Sequence, residues 1–314
     1  MSKKFIEYQC LDGEKMTERD KLEKDSKYWN EGKFNNFVLP FISTEVSLEG
    51  EMLIDVGCNA GLFLKLAKDL GFGTVLGVES DIGAFDKAVK YRKRHSLDYE
   101  LVSSKFGDYI DELPLADYIV FANVHYYFKP EEWKEYIDKL KEKVLYVIIV
   151  TAEKKPNTEY PASDLEGIRK DFNGWEEIDI VDIPKDETPH SRHLTSVCFR
   201  NNSLSKVKVS SLDNGNNQLR GFLKELDKGI NVFKTRYYKR LVDYRKRTGS
   251  KQTVWTNDEL KEYMLERVEL YKNVKKNGLR EAITVGKNNR ITDGNHRHDI
   301  AKHLDYKSIM IKYE

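Results

Sequence analysis

The sequence predicts an α/β protein, built on a parallel sheet covered by helices and followed by a second, smaller module. Three observations carry this. From Met52 to Val150 short apolar segments alternate with helical ones, the rhythm of β-α-β units. Leu145–Val150 is dominated by β-branched residues, the mark of a strand buried on both faces. The charge also changes sign along the chain. Residues 206–314 carry 25 Lys and Arg against 14 Asp and Glu, a net of +11, whereas residues 1–205 carry 28 against 38, a net of −10. A chain of 314 residues has room for two ordinary domains, expected here over 1–204 and 205–314. Opposite charge on the two modules suits either different partners or docking of one on the other.

The elements follow in order. The first 45 residues or so read as polar and helical, with aromatic anchors at Tyr28, Trp29, Phe34, Phe37 and Phe41. Met52–Val56 is a strand, Leu62–Leu70 a helix, Thr74–Val78 a strand, Gly83–Tyr91 a helix and Tyr99–Val102 a strand. Tyr118–Ala122, Glu131–Lys141 and Leu145–Val150 continue as strand, helix and strand. Glu177–Ile180 and Leu194–Phe199 flank a polar loop, Pro189-His-Ser-Arg-His193, and form an antiparallel hairpin at the sheet edge. Residues 201–205 read as a linker. Beyond it Leu219–Leu226, Val232–Tyr244 and Asp258–Lys276 are helices, broken at Gly229 and at Thr248-Gly-Ser250. Strands at Glu281–Val285 and Asn289–Ile291, a turn at Asp293-Gly294, a helix over Asn295–Leu304 and a strand over Ser308–Lys312 close the chain.

The first chemical signal is Leu53-Ile-Asp-Val-Gly-Cys-Asn-Ala-Gly61. A strand ends near Gly57 and a helix begins near Gly61, so small residues and free helix N–H groups face whatever binds there. The next strand ends at Glu79, where a carboxylate accepts both hydroxyls of a ribose. The acidic Asp55 beside the loop would repel a pyrophosphate but suits the ammonium of an amino-acid-bearing nucleoside. The spacing Asp55-x-Gly57-x-Asn59-x-Gly61 with Glu79 resembles motif I and the ribose-binding acid of the class I S-adenosylmethionine-dependent methyltransferases, with Asn59 where that family has its middle glycine. The resemblance implies a Rossmann-like seven-stranded sheet and S-adenosyl-L-methionine as cofactor, contacted by Asp55, Gly57, Asn59, Gly61, Glu79 and Asn123. It also implies an adenine-side acid in the loop after the third strand, where Asp108, Tyr109 and Asp111 are all candidates. His125 has two readings, as general base for a hydroxyl acceptor or as a packing residue. Glu153, His190 and His193 are further acceptor-side candidates. Gly57-Cys-Asn-Ala-Gly-Leu-Phe63, His125-Tyr-Tyr-Phe128 and Ser191-Arg-His-Leu194 make residues up to Phe199 similar to enzymes that methylate sugars. A sugar hydroxyl of a glycan or its precursor is the acceptor this implies, with RNA as the alternative.

The second signal is Ile291-Thr-Asp-Gly-Asn-His-Arg297, a strand, a tight turn and a helix start. Residues 274–313 resemble the ParB/sulfiredoxin-like fold, with Gly278, Ala282-Ile-Thr-Val285, Asp293-Gly-Asn-His-Arg297, Ala301-Lys-His-Leu304 and Ile309-Met-Ile311 in family order. That resemblance implies nucleotide or phosphate binding by Asp293, Gly294, His296 and Arg297, and in some relatives phosphotransferase activity. Cys198 is the last cysteine, which speaks against sulfiredoxin chemistry. Basic residues from Lys234 to Arg247, interleaved with Tyr237, Tyr238 and Tyr244, form either a solvated helix face or a surface for nucleic acid or anionic lipid.

Composition narrows the setting. Mean hydropathy is −0.65, and the apolar run Val144 to Val150 is too short to span a bilayer. The opening Met-Ser-Lys-Lys leads into alternating polar residues, not into the apolar stretch of a signal peptide. Cys10, Cys58 and Cys198 give neither a disulfide framework nor a metal-ligand pattern, so no metal is expected and a cytoplasmic, reducing setting is.

Overall fold

The computed structural model describes residues 30–43, 47–152, 164–184, 193–212, 218–248, 256–287 and 290–314. Tyr28, Trp29, Glu153, His190 and the Ser191-Arg192 pair lie outside them. The chain forms two compact units, Met1–Ser203 and Leu204–Glu314.

The first unit opens with α1 (Asn30–Phe37), which buries Phe34 and Phe37 and sets Phe34 edge-on to Phe63 at 5.2 Å. Then come β1 (Met52–Val56), α2 (Leu62–Asp69), β2 (Thr74–Glu79), α3 (Ile82–Arg94), β3 (Glu100–Ser103) and the short α4 (Phe106–Tyr109). They are followed by β4 (Ala116–Ala122), α5 (Pro130–Leu140), β5 (Val144–Ala152), α6 (Leu165–Asp171), β6 (Glu176–Ile183) and β7 (Leu194–Arg200). Helix starts carry the expected stops. Asp81 accepts from the Ala84 N–H at 2.9 Å, Asp164 does the same for Gly167 at 2.9 Å, and α5 begins on Pro130 with Glu132 bonded back to the Lys129 N–H.

Seven strands join in the order β3-β2-β1-β4-β5-β7-β6. The first five run parallel, and β7 lies antiparallel between β5 and β6. The expected hairpin is therefore present, with its second strand inserted next to β5. One face packs Ile54, Ile119, Phe121, Val147 and Ile149 against Trp133, Ile137 and Phe172. The other packs Leu53, Val120, Ile148 and Val150 against Phe34, Phe37, Phe63 and Leu64. The chain winds outward from β1 to β3 and returns to place β4 beside β1. A strand order that reverses in this way opens a crevice at the carboxyl ends of the two central strands.

The second unit contains β8 (Ser205–Lys208), α7 (Gln218–Asp227), α8 (Arg236–Thr248), α9 (Asn257–Asn277), β9 (Ile283–Val285), β10 (Ile291–Asp293), α10 (Asn295–His303) and β11 (Ser308–Tyr313). Its sheet runs β10-β9-β11-β8, with β11 parallel to β9 and antiparallel to β8. Asp227 ties three helices together, accepting from Tyr271 at 2.6 Å and Lys275 at 3.0 Å and lying 2.7 Å from His303. These contacts hold its carboxyl well below the usual range, the Tyr271 hydroxyl contributing most.

Two expectations change. Residues 232–244 are not one helix, because a 3-10 turn over Val232–Lys234 ends at Thr235, whose hydroxyl donates to the Val232 carbonyl at 2.7 Å and diverts the chain before α8. Residues 201–205 are not a loose linker. Asn201 is buried and its amide donates to the carbonyls of Lys141 at 2.7 Å and Val144 at 3.0 Å. Its own Oδ1 accepts from the Ser203 N–H at 3.0 Å and hydroxyl at 2.6 Å, and β8 begins at Ser205.

Asn201→Ala is expected to lower unfolding stability by about 1–3 kcal/mol, the cost of stranding buried carbonyls. Asn201→Asp is expected to cost more, because it aims a carboxylate at them. A urea midpoint equal to wild type in both variants counts against this account.

Candidate functional site

The crevice at the β1/β4 reversal gathers most of the first group of candidates. Asp55 stands in β1 with 2% of its surface exposed, and Glu79 ends β2 with 7% exposed. Burial pushes the Asp55 carboxyl well above the usual range; the Glu79 charge adds to this and Lys33 opposes it. Glu79 holds the loop, since Oε2 accepts from the Asn59 N–H at 2.8 Å and Oε1 from the Asp81 N–H at 2.7 Å. A carboxylate has about four acceptor positions, so Glu79 keeps two for a ligand.

The loop conformation explains its residues. Gly57 and Gly61 have φ of +70° and +89°, where a Cβ is strained. A Cβ on Gly57 would also meet Val124 Cγ2 at 2.9 Å, so this glycine lets the β1–α2 loop close on the end of β4. Asn59 and Asn123 are likewise left-handed, at φ +50° and +58°, a conformation asparagine tolerates better than most residues. That is why Asn59 stands where a glycine was expected. Asn123 extends the ladder, donating its N–H to the Val150 carbonyl at 2.7 Å.

Three buried oxygens around this crevice have no hydrogen-bond partner among the described residues: Asp55 Oδ2, Asn59 Oδ1 and Asn123 Oδ1. Such atoms are costly unless something donates to them. The lining is thus a set of acceptors, and it calls for a ligand that brings donors and positive charge.

Four residues modify the sequence reading. His125 has no exposed surface, and its ring packs 5.2 Å from Tyr126 and 5.8 Å from Trp133. Full burial beside these two rings supports the packing reading of the two. Asp108 is exposed in the single turn of α4 after β3, and Asp111 is engaged by Lys139 at 3.0 Å. Lys33, on α1, went unnoticed in the sequence because it looks like any lysine of a polar helix. Burial pushes its ammonium down to about 8 despite the opposing pull of Asp55.

In the second unit the turn residues do converge. Gly294 caps α10 with φ +91° and has no side chain to bond the first backbone N–H groups of the helix. Arg297, however, is held by Asp293 at 2.7 Å and by Glu281. His296 lies 3.3 Å from the Tyr263 hydroxyl, and burial with the nearby Arg267 pushes its imidazole down to about 4, so it is neutral at pH 7. The guanidinium expected to be free for phosphate is instead balanced by two carboxylates, and His296 adds no charge.

No protein-family model matches the chain, and no curated protein does. Solved structures with a similar fold include a SAM-dependent methyltransferase from Archaeoglobus fulgidus, at 14% identity over 59% of this chain and 100% of that one, with a TM-score of 0.43. Magnesium protoporphyrin IX methyltransferase from Synechocystis, with bound SAM, is 17% identical over 49% of this chain and 71% of its own, TM-score 0.39. The bifunctional kinase-methyltransferase WbdD is 14% identical over 66% of this chain and 45% of its own, TM-score 0.46.

The raised carboxyl of Asp55 has a signed consequence. The folded chain binds this proton more tightly than the unfolded one, so stability falls as pH rises through the range above pH 3.8 until the folded group ionises. Asp55→Asn is expected to raise the melting temperature of the ligand-free protein at neutral pH. The difference from wild type should widen from pH 4 upward and then level off. A difference constant with pH would mean that Asp55 titrates normally.

Proposed function

We propose that this chain is an S-adenosyl-L-methionine-dependent methyltransferase whose cofactor sits in the crevice at the carboxyl ends of β1, β2 and β4. The observation that carries the proposal is the acceptor lining. Asp55 Oδ2, Asn59 Oδ1 and Asn123 Oδ1 lack donors among the described residues, and Glu79 has acceptor positions to spare. A pyrophosphate brings only acceptors and negative charge, and fits this set badly. A nucleoside bearing an amino acid brings ribose hydroxyls and an ammonium, and fits it well. Glu79 then takes the ribose hydroxyls, Asp55 the ammonium, directly or through water, and Asn123 the amino-acid end. Gly57, Gly61 and Asn59 shape the loop around them, while Asp108 stands after β3 on the adenine side.

When bound, the sulfonium cofactor supplies an electrophilic methyl group. The protein's share of the reaction is mainly alignment, since holding two reactants in line converts an encounter into a unimolecular step. Burial of Asp55 beside Glu79 favours a cationic ligand over a neutral one, because a positive charge between them relieves both. The acceptor is proposed as a sugar hydroxyl on a glycan or its precursor. The second unit is proposed to take a nucleotide or phosphate at the uncapped start of α10, where backbone N–H groups and the helix dipole favour an anion. Arg297 must exchange a carboxylate partner to join it.

Glu79→Ala is expected to weaken S-adenosylhomocysteine binding about 10- to 150-fold, equivalent to about 1.5–3 kcal/mol for a lost charged hydrogen bond. Unchanged calorimetric affinity in Glu79→Ala and Asp55→Asn would remove the cofactor assignment. For the second unit, millimolar ATP, CTP or sugar phosphates should raise the melting temperature of the full chain. Arg297→Ala should shrink that shift, and the absence of any shift would leave Arg297 a structural brace.

A further inference from the structure

The second unit carries a patch of cations without acids to pair with. Arg220 and Lys224 in α7, Lys228 and Lys234 in the turns that follow, and Lys239 and Arg240 in α8 are all exposed. None of them forms an ion pair with a described residue. Elsewhere on the surface such groups are paired, as Lys139, Arg169 and Lys261 are. The acids nearest in sequence are already engaged. Glu225 accepts from the Arg236 N–H at 2.8 Å and pairs with its guanidinium at 3.3 Å, and Asp227 is taken by Tyr271, Lys275 and His303. Asp243 is the one acid in the sequence of α8, Arg-Tyr-Tyr-Lys-Arg-Leu-Val-Asp-Tyr-Arg-Lys-Arg-Thr. Arg220 and Lys224, like Arg236 and Arg240, are four residues apart and share a helix face, where like charges repel. The first turn of α8 holds no acid of its own, so its cations also face the positive end of the helix dipole.

We propose that the face formed by α7, α8 and the turns between them binds the phosphodiester backbone of a nucleic acid. A row of unpaired cations raises a positive potential, which a regularly charged polyanion relieves along its whole length. What the face lacks decides the partner's chemistry. A protein interface is built round apolar or aromatic anchors that become buried. Here those groups are spent within the unit, because Phe222 is buried against Tyr237 at 5.5 Å and Tyr238 packs on Phe233 at 5.3 Å. A helix lying in a membrane surface needs its apolar side free to enter the bilayer. The Tyr237 side of α8 is turned to α7 instead. Ile230 is the large apolar residue exposed beside the patch, and single residues of that kind are ordinary on any surface. The ligand that needs charge and no apolar contact is a sugar-phosphate chain.

Lysine and arginine contacts to phosphate oxygens carry no sequence information, so the binding is indifferent to base order and steeply dependent on salt. Each phosphate neutralised on a single strand contributes about −0.7 to the slope of log K against log salt, so the cations of this patch together give a slope of about −4. Dissociation constants for such non-specific complexes are about 10⁻⁴–10⁻⁶ M at physiological salt. Nothing in the cofactor crevice is needed for this binding, so it holds or fails separately from the methyltransferase reading.

The full chain is titrated into a fluorescein-labelled single-stranded RNA and a labelled DNA duplex over a range of salt, with phosphatidylserine vesicles and polyglutamate as rival polyanions. Binding of either nucleic acid with the steep salt slope supports the proposal, and a preference between them names the kind. Lys239→Glu with Arg240→Glu should weaken that binding at least about tenfold and make the slope on RNA shallower by about 1.4, with the melting temperature kept. Arg220→Gln with Lys224→Gln should weaken it in the same direction from the other helix. Lys90→Glu with Lys93→Glu, two exposed lysines of α3 in the first unit, changes the net charge as much as the α8 variant and should weaken binding less than about threefold. No binding of either nucleic acid by the wild type at low salt overturns the proposal. Equal weakening by the α8 and α3 variants overturns it too, because net charge alone would then account for the binding. Tighter binding to the vesicles or to polyglutamate than to either nucleic acid, at equal concentration of charge, overturns it in favour of a membrane or an acidic protein.

Discussion

Burying β1, β4 and β5 on both faces is the constraint from which the rest of the first unit follows. A strand covered by helices on either side has no room for polar side chains along its length, and its backbone groups are consumed by its neighbours. Polar chemistry is therefore displaced to the strand ends. The winding of the chain decides which end, because the return of β4 to the side of β1 leaves a crevice only at their carboxyl termini. Asp55, Glu79, Asn123 and Thr151 all sit at or near that edge, and so do Asp182, His193 and Thr195 from the two strands that close the sheet.

The two units handle charge differently. In the first, Asp55 and Glu79 are buried close together, and the positive group the structure sets against Asp55 is Lys33, whose own burial pushes it down to about 8. That arrangement is unbalanced without a ligand. In the second, Asp227 collects Tyr271, Lys275 and His303, and Arg297 collects Asp293 and Glu281. These charges are spent on holding helices and turns together. A cluster whose groups already satisfy one another is a structural device by default, whereas unpaired buried acceptors need something from outside.

Much of the first unit is legible from local pattern. The alternation of apolar strands with helices, the Asp55–Gly61 loop and the acid at Glu79 are all short-range signals, and each reports on the backbone within a few residues of itself. Asn59 shows the limit of motif reading, since it stands where a glycine was expected. The physical requirement is a left-handed backbone, and asparagine meets it too. His125 shows a second limit. A histidine after a central strand reads as chemistry, but its chain neighbour Tyr126 and Trp133 of α5 pack against it, and the Trp133 contact is not visible next to it in the sequence.

The sequence by itself determined the α/β class, the strand-to-helix loop and the two acids beside it, because hydrophobic period and backbone conformation are written within a few residues. Only the tertiary structure decided what depends on strands far apart in the chain. Asn201 became a knot and not a linker because the Lys141 and Val144 carbonyls lie across from it. Ser205–Lys208, polar and short, became a strand because β11 was there to pair with it. Thr151, Thr195 and Asp182 line up across three strands through antiparallel register, which no local pattern encodes, since the pairing partners are fixed by packing of whole faces and not by neighbours in sequence.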